Sequence, residues 1–210
     1  MSDVFSRAAH RLWAARDVLA RLPVMERWAE FGTPILVGAV AYGLVVAPDI
    51  DIEVYCDEPR IEDGFTILRD CALNPRVKKA RFANELEGPD QGLYWQLRYL
   101  YADGQLWKID MWSLRRDHPG PVARDLIEPM RQALTDERRQ AILEIKEQVV
   151  ARGLGYPSIQ VYRAVIEAGA RSIDEFEEWY RRDPVEGLTD WKPSHDPLKG
   201  ATSVHTPSHH

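Results

Sequence analysis

The chain has 210 residues, 45% of them hydrophobic and 29% charged, a composition that excludes a disordered or fibrous protein and predicts one packed domain or a small α/β domain with a helical appendage. Its longest apolar stretch, residues 35–48, is broken by glycines and falls short of the roughly 20 residues a bilayer requires, and the charged N-terminus lacks a signal-peptide core, so a cytoplasmic protein is expected. A formal net charge of −6 argues against gripping long nucleic acid by counterion release, but leaves room for a nucleotide and for a small-molecule or protein acceptor.

The spacing of Phe5, Ala8, Leu12, Ala15, Leu19 and Leu22 predicts an amphipathic helix over residues 2–22, with Pro23 opening a shorter one that Gly32 ends. A short apolar strand at 34–37 runs into Gly38 and a small-residue segment suited to a turn and a short helix. The next strand, 50–55, alternates strictly: Ile50, Ile52 and Val54 on one face, Asp49, Asp51 and Glu53 on the other. A helix is expected over 60–73, then strands over 77–86, 93–101 and 105–114, the last two joined by a turn at Ala102, Asp103 and Gly104. In the last strand Lys108, Asp110 and Trp112 share one face and Trp107, Ile109 and Met111 the other.

After Pro121 only helical periodicity remains, over 126–130, 136–152 with an N-cap at Thr135, 161–169 and 173–182. The reading is therefore an α+β fold: a mixed sheet with flanking helices over residues 1–118, a helical region over 119–185, and a flexible tail over 186–210. His205, His209 and His210 fall in that Ser/Pro/His-rich tail and are not read as metal ligands; Cys56 and Cys71 lack Cys-x-x-Cys spacing and are expected to be buried, neutral thiols.

Chemistry concentrates between Val37 and Val54. A glycine directly after a buried strand lets a phosphate approach the backbone, whose amides can bind its oxygens. Asp-x-Asp on a strand projects two carboxylates in parallel, and Asp110 from a neighbouring strand completes an all-oxygen set suited to Mg²⁺ or Mn²⁺. Aspartate is disfavoured in strands, and same-face acids repel, so the pattern asks for a reason. Glu53 is expected to be an exposed acid at the strand's end, with ordering of a metal ligand or basic side chain as the alternative. Most of the aromatics Tyr94, Trp95, Tyr99, Tyr101, Trp107 and Trp112 are expected in the core; Trp112, on the face of Asp110, is placed to stack on a base or acceptor ring.

Gly38-Ala39, the spacing to Asp49-Ile50-Asp51, and Lys108-Ile109-Asp110-Met111-Trp112 resemble the signature of the nucleotidyltransferase superfamily, the polymerase β-like group that includes the aminoglycoside, lincosamide and minimal nucleotidyltransferases. The resemblance spans residues 33–114. It implies that Asp49 and Asp51 bind two metal ions, that Asp110 binds the one nearer the acceptor, that Gly38 and Ala39 lie at the phosphates of an NTP such as ATP, and that a nucleoside monophosphate is transferred to a hydroxyl. The sequence departs from that signature at Ala39, where the family has serine, and in having no Lys or Arg from Gly38 to Pro48, which makes Lys78, Arg81, Arg98 and Lys108 the candidate cations. Those departures support an alternative: an inactive binding or regulatory module of the same fold, as in a two-component toxin–antitoxin system.

Overall fold

The computed structural model describes residues 3–182 and 189–193. Helix α1 (Asp3–Arg21) carries an acid in its first turn and a base in its last, matching the helix dipole, and ends where Pro23 is about to remove an amide donor. After α2 (Val24–Trp28) come β1 (Thr33–Val37), the five-residue α3 (Gly38–Tyr42), β2 (Asp49–Cys56) and α4 (Ile61–Ala72). Strands β3 (Val77–Glu85), β4 (Gly92–Leu100) and β5 (Leu106–Arg115) follow.

The five strands form one sheet in the order β1-β2-β5-β4-β3, parallel between β2 and β5 and antiparallel elsewhere. Register places side chains of the four central and edge strands in rows that cross the sheet. One row reads Asp49, Lys108, Arg98, Lys79; the next reads Asp51, Asp110, Gln96, Arg81; a third reads Glu53, Trp112, Tyr94, Ala83. All three rows lie on one face.

The opposite face carries Ile50, Ile52, Trp95, Leu97, Ile109 and Met111, all buried under α1, α2 and α4. There the Trp28 indole N–H donates to Met111 Sδ at 3.1 Å and that of Trp95 to Ser113 Oγ at 3.1 Å, so neither polar tip is left unpaired. A Cβ on Gly64 of α4 would come within 2.2 Å of the Trp95 ring, so close packing imposes glycine inside this helix at some cost in helix propensity. Trp95, Tyr99, Tyr101 and Trp107 are core residues as expected, whereas Tyr94 and Trp112 are half-buried on the other face. Cys56 and Cys71 are buried and unpaired.

A 3-10 turn (Ala123–Leu126) leads into α5 (Ile127–Ala133), α6 (Asp136–Ala151), α7 (Ser158–Glu167) and α8 (Ile173–Arg182). Thr135 caps α6 as expected, accepting from the Arg138 amide at 3.3 Å. The helix expected at 126–130 is this turn continued by α5, and the one expected from 161 begins at Ser158, directly after Pro157. These helices bury a second core around Ile142, Ile145, Val165 and Phe176, against which Trp191 is packed. Helix α1 serves both cores, giving Val4 and Ala8 to the helical one and Ala15 and Val18 to that of the sheet. The three histidines of the C-terminal stretch lie outside the described residues. No helix among the described residues is long and apolar enough to cross a membrane.

Glu53 corrects the sequence reading. It is 7% exposed, and its carboxylate accepts from the amides of Ala123 (2.8 Å) and Arg124 (2.9 Å) and from the Tyr55 hydroxyl (2.6 Å). Strand alternation gives its face but not what covers that face, and the 3-10 turn, some 70 residues further on, covers it. The Arg124 guanidinium then lies 3.7 Å from the centre of the Tyr55 ring. Glu53 thus fastens the helical half to the strand that carries Asp49 and Asp51. Glu53→Gln keeps the size but removes the charge and one acceptor, and should lower stability by about 2 kcal/mol, seen as a fall of roughly 4–8 °C in a thermal melt.

Candidate active site

The parallel pairing of β2 with β5 sets Asp51 directly opposite Asp110 and Asp49 opposite Lys108. One carboxylate oxygen from each of Asp49, Asp51 and Asp110 lies within 4.8 Å of the other two, so the three aspartates singled out from the sequence are brought together. Gly38, at the junction of β1 and α3, has φ +63, and a Cβ there would fall 2.4 Å from Asp51 Oδ2. The glycine is therefore required twice, by its left-handed backbone and by the carboxylate it touches.

Asp110 is held on both oxygens. Its Oδ1 accepts from the Tyr94 hydroxyl at 2.8 Å and the Gln96 amide at 3.0 Å, while Lys108 Nζ lies 2.8 Å from Oδ2. The same ammonium is 3.0 Å from Asp49 Oδ2. Burial works against the charged lysine, but the hydrogen bonds and charges of Asp110 and Asp49 outweigh it and raise its pKa. Asp49 Oδ1 is buried without a hydrogen-bond partner. Burial, then repulsion from Asp49 and Asp110, pushes the Asp51 carboxyl up to about 7. Asp49 is also raised by burial, with Lys108 opposing the shift.

This donor set fits a divalent cation. It offers only carboxylate oxygens, the preference of Mg²⁺ and Mn²⁺, and it contains a partnerless buried oxygen together with a raised carboxyl, both of which a cation would satisfy.

Asp49 and Asp51 open into a cleft of about 510 Å³ that Gly38 and Ala39 also line, together with Lys146, Tyr156 and Tyr162 of the helical half. Lys146 of α6 is 5% exposed. Its ammonium donates to the Leu44 carbonyl at 2.9 Å and the Tyr162 hydroxyl at 3.1 Å, and burial pushes its pKa down to about 8 although Asp51 and Asp49 pull the other way. Of the cations nominated from the sequence, Lys108 is inside the cluster and Arg98 beside it on β4; Lys78 is turned onto the Pro75 carbonyl at 2.8 Å, and Arg81 is exposed on the edge strand. Lys146, Tyr94 and Gln96 were not singled out. The signal for Lys146 was present: it interrupts the apolar face formed by Ile142, Ile145 and Val149.

No protein-family model and no curated protein matches the sequence. Solved structures do match the fold. The Cid1 RNA terminal uridylyl transferase is 13% identical with a TM-score of 0.54, over 73% of this chain and 46% of its own. A cytoplasmic RNA terminal U-transferase is 13% identical with a TM-score of 0.52, over 74% and 45%. CdnC of E. coli MS115-1, solved with ATP, is 14% identical with a TM-score of 0.50, over 96% and 83%. The chain has the nucleotidyltransferase fold, and it spans less than half the length of the chains in the two U-transferase structures.

Two outcomes follow from the charges. With a chelator present, a carboxyl raised in the folded state stabilises the fold below its unfolded pKa near 4 and loses that contribution as pH climbs through about 7, so the melting temperature should fall over that window. Asp17, Asp70 and Asp117, held down by Arg21, Arg69 and Arg115, act below it. Mn²⁺ should raise the melting temperature more at pH 7 than at pH 5, and Asp51→Asn should weaken both trends, leaving the share of Asp49. Because Lys108 competes for the same oxygens, Lys108→Met should tighten Mn²⁺ binding roughly tenfold by calorimetry, about 1.4 kcal/mol, whereas unchanged affinity would place the ion elsewhere.

Proposed function

We propose that this chain transfers a nucleoside monophosphate from an NTP to an acceptor hydroxyl, with Mg²⁺ or Mn²⁺ held by Asp49, Asp51 and Asp110. The convergence of those three carboxylates beside Gly38 carries the reading. The cleft, its buried lysine and the fold it shares with U-transferase structures and an ATP-bound protein support it.

In this reading the bound metal supplies charge neutralisation for the triphosphate and lowers the pKa of the attacking hydroxyl. The chain does the rest. The Gly38 turn brings backbone, rather than a side chain, to the phosphates, and Ala39 adjoins it without the serine hydroxyl. Lys146 supplies the cation missing between Gly38 and Pro48; a lysine kept largely out of water binds a phosphate oxygen more strongly than an exposed one. Tyr94 and Gln96 fix the direction of Asp110, so that the acceptor oxygen is presented in line with the α-phosphorus as pyrophosphate leaves. Trp112, whose ring centre is 5.0 Å from that of Tyr94, offers a face to a base or acceptor ring.

Two observations favour the second reading, an inactive binding or regulatory module. Lys108 spans Asp49 and Asp110, the oxygens a metal needs, and Ala39 removes a phosphate donor. The two readings part on one assay: pyrophosphate release from labelled NTPs with Mg²⁺ or Mn²⁺ and a panel of hydroxyl acceptors. A transferase gives metal-dependent release that Asp110→Asn lowers by orders of magnitude while NTP still raises the melting temperature. Lys146→Met should weaken NTP binding at least about tenfold with the fold intact by circular dichroism, and Ala39→Ser should tighten it by about 1 kcal/mol, one ordinary hydrogen bond. No NTP binding by wild type or by the serine variant would leave the inactive module.

A further inference from the structure

The face of the sheet that bears the aspartates continues beyond them onto β4 and β3, and its charge changes sign there. In the row Asp49, Lys108, Arg98, Lys79 three cations stand directly opposite one another on successive strands, and Arg81 ends the adjacent row that begins at Asp51 and Asp110. Like charges placed opposite each other across strands destabilise a sheet. Lys108 is compensated by Asp49 and Asp110. Lys79, Arg81 and Arg98 make no close ion pair among the described residues, Arg98 reaching Asp49 only through its longer-range charge.

Protection of an open sheet edge explains cations on β3, where Lys79 and Arg81 are exposed at the end of the strand order. It does not explain Arg98, which lies on an interior strand between Lys79 and Lys108. The third row adds two half-buried aromatic rings, Trp112 and Tyr94, next to Asp110 on the other side. Cations on one side of a reacting centre and ring faces on the other match a strand with a charged backbone and stacking bases.

We propose that this face of β3, β4 and β5 is the acceptor surface, and that it takes the hydroxyl-bearing end of a short single-stranded oligonucleotide. The terminal hydroxyl lies at Asp110, a terminal base stacks toward Trp112 and Tyr94, and the preceding phosphates run over Arg98, Arg81 and Lys79. The inference rests on the transferase reading and names its acceptor. A net charge of −6 opposes a long duplex, whereas three local cations suffice for a few phosphates.

The test is anisotropy of a fluorescein-labelled six-nucleotide single-stranded RNA with the full chain and Mn²⁺, across a KCl series. Wild type should bind, and the affinity should fall with salt. Lys79→Gln/Arg81→Gln/Arg98→Gln should lose most of that affinity and flatten the salt slope by about 2, at about 0.7 per cation removed. Its NTP-induced rise in melting temperature should be retained. Lys78→Gln, which removes an ammonium bonded to the Pro75 carbonyl, should behave as wild type. The inference is overturned if wild type does not bind the hexamer, if the triple variant binds equally well, if Lys78→Gln loses as much, or if ribose 5-phosphate competes phosphate for phosphate with the RNA. Row-dependent RNA binding without any pyrophosphate release would sink the transferase reading instead; release onto another acceptor, indifferent to the triple substitution, would sink this inference alone.

Discussion

The parallel pairing of β2 with β5, in a sheet otherwise antiparallel, brings Asp51 opposite Asp110, and the site is arranged around that contact. Its register is set from behind. Ile50, Ile52, Ile109 and Met111 fill the core face of the same two strands, and a slip of one residue would turn them to the cleft and the aspartates into the core. The apolar face thus fixes the polar one, and burial of large side chains on one side offsets the repulsion accepted on the other.

That repulsion is managed by several neighbours. Lys108 bridges two of the carboxylates, and Tyr94 and Gln96 donate to the third, while Gly38 leaves space for Asp51 at the turn. Asp51, only partly offset by the charges of Lys108 and Lys146, and the buried Oδ1 of Asp49, which has no hydrogen-bond partner, are where a cation would bring most. The helical half lines the cleft with the buried Lys146 of α6, held there by its bond to the Leu44 carbonyl, by Arg139 on the Tyr42 carbonyl and by Glu53, which binds the amides of Ala123 and Arg124. One of the ties between the two halves is thus a carboxylate on the site strand itself.

Much of this was legible in the sequence because it is local. Strict alternation in residues 49–54 assigned the faces of β2 correctly, the Ala102-Asp103-Gly104 turn and the Thr135 cap were found by turn and capping chemistry, and the glycine-to-aspartate spacing pointed to the fold. What was misread or missed is non-local. Glu53 was read as exposed because nothing in its strand reveals the turn that covers it, and Lys146 was overlooked because its partners, Leu44 and Tyr162, come from distant elements. Lys108 is legible as a candidate cation on the face of Asp110; that it joins Asp49 to Asp110 follows from strand pairing across nearly 60 residues.

Anomalous diffraction from crystals grown with Mn²⁺ and a non-hydrolysable NTP tests the metal assignment most directly. The account predicts manganese peaks within about 2.0–2.3 Å of carboxylate oxygens of Asp49, Asp51 and Asp110, with Lys108 Nζ displaced from between them and the triphosphate lying between Gly38 and Lys146. Nucleotide bound elsewhere, or no manganese at the three aspartates with Lys108 still bridging Asp49 and Asp110, would contradict it.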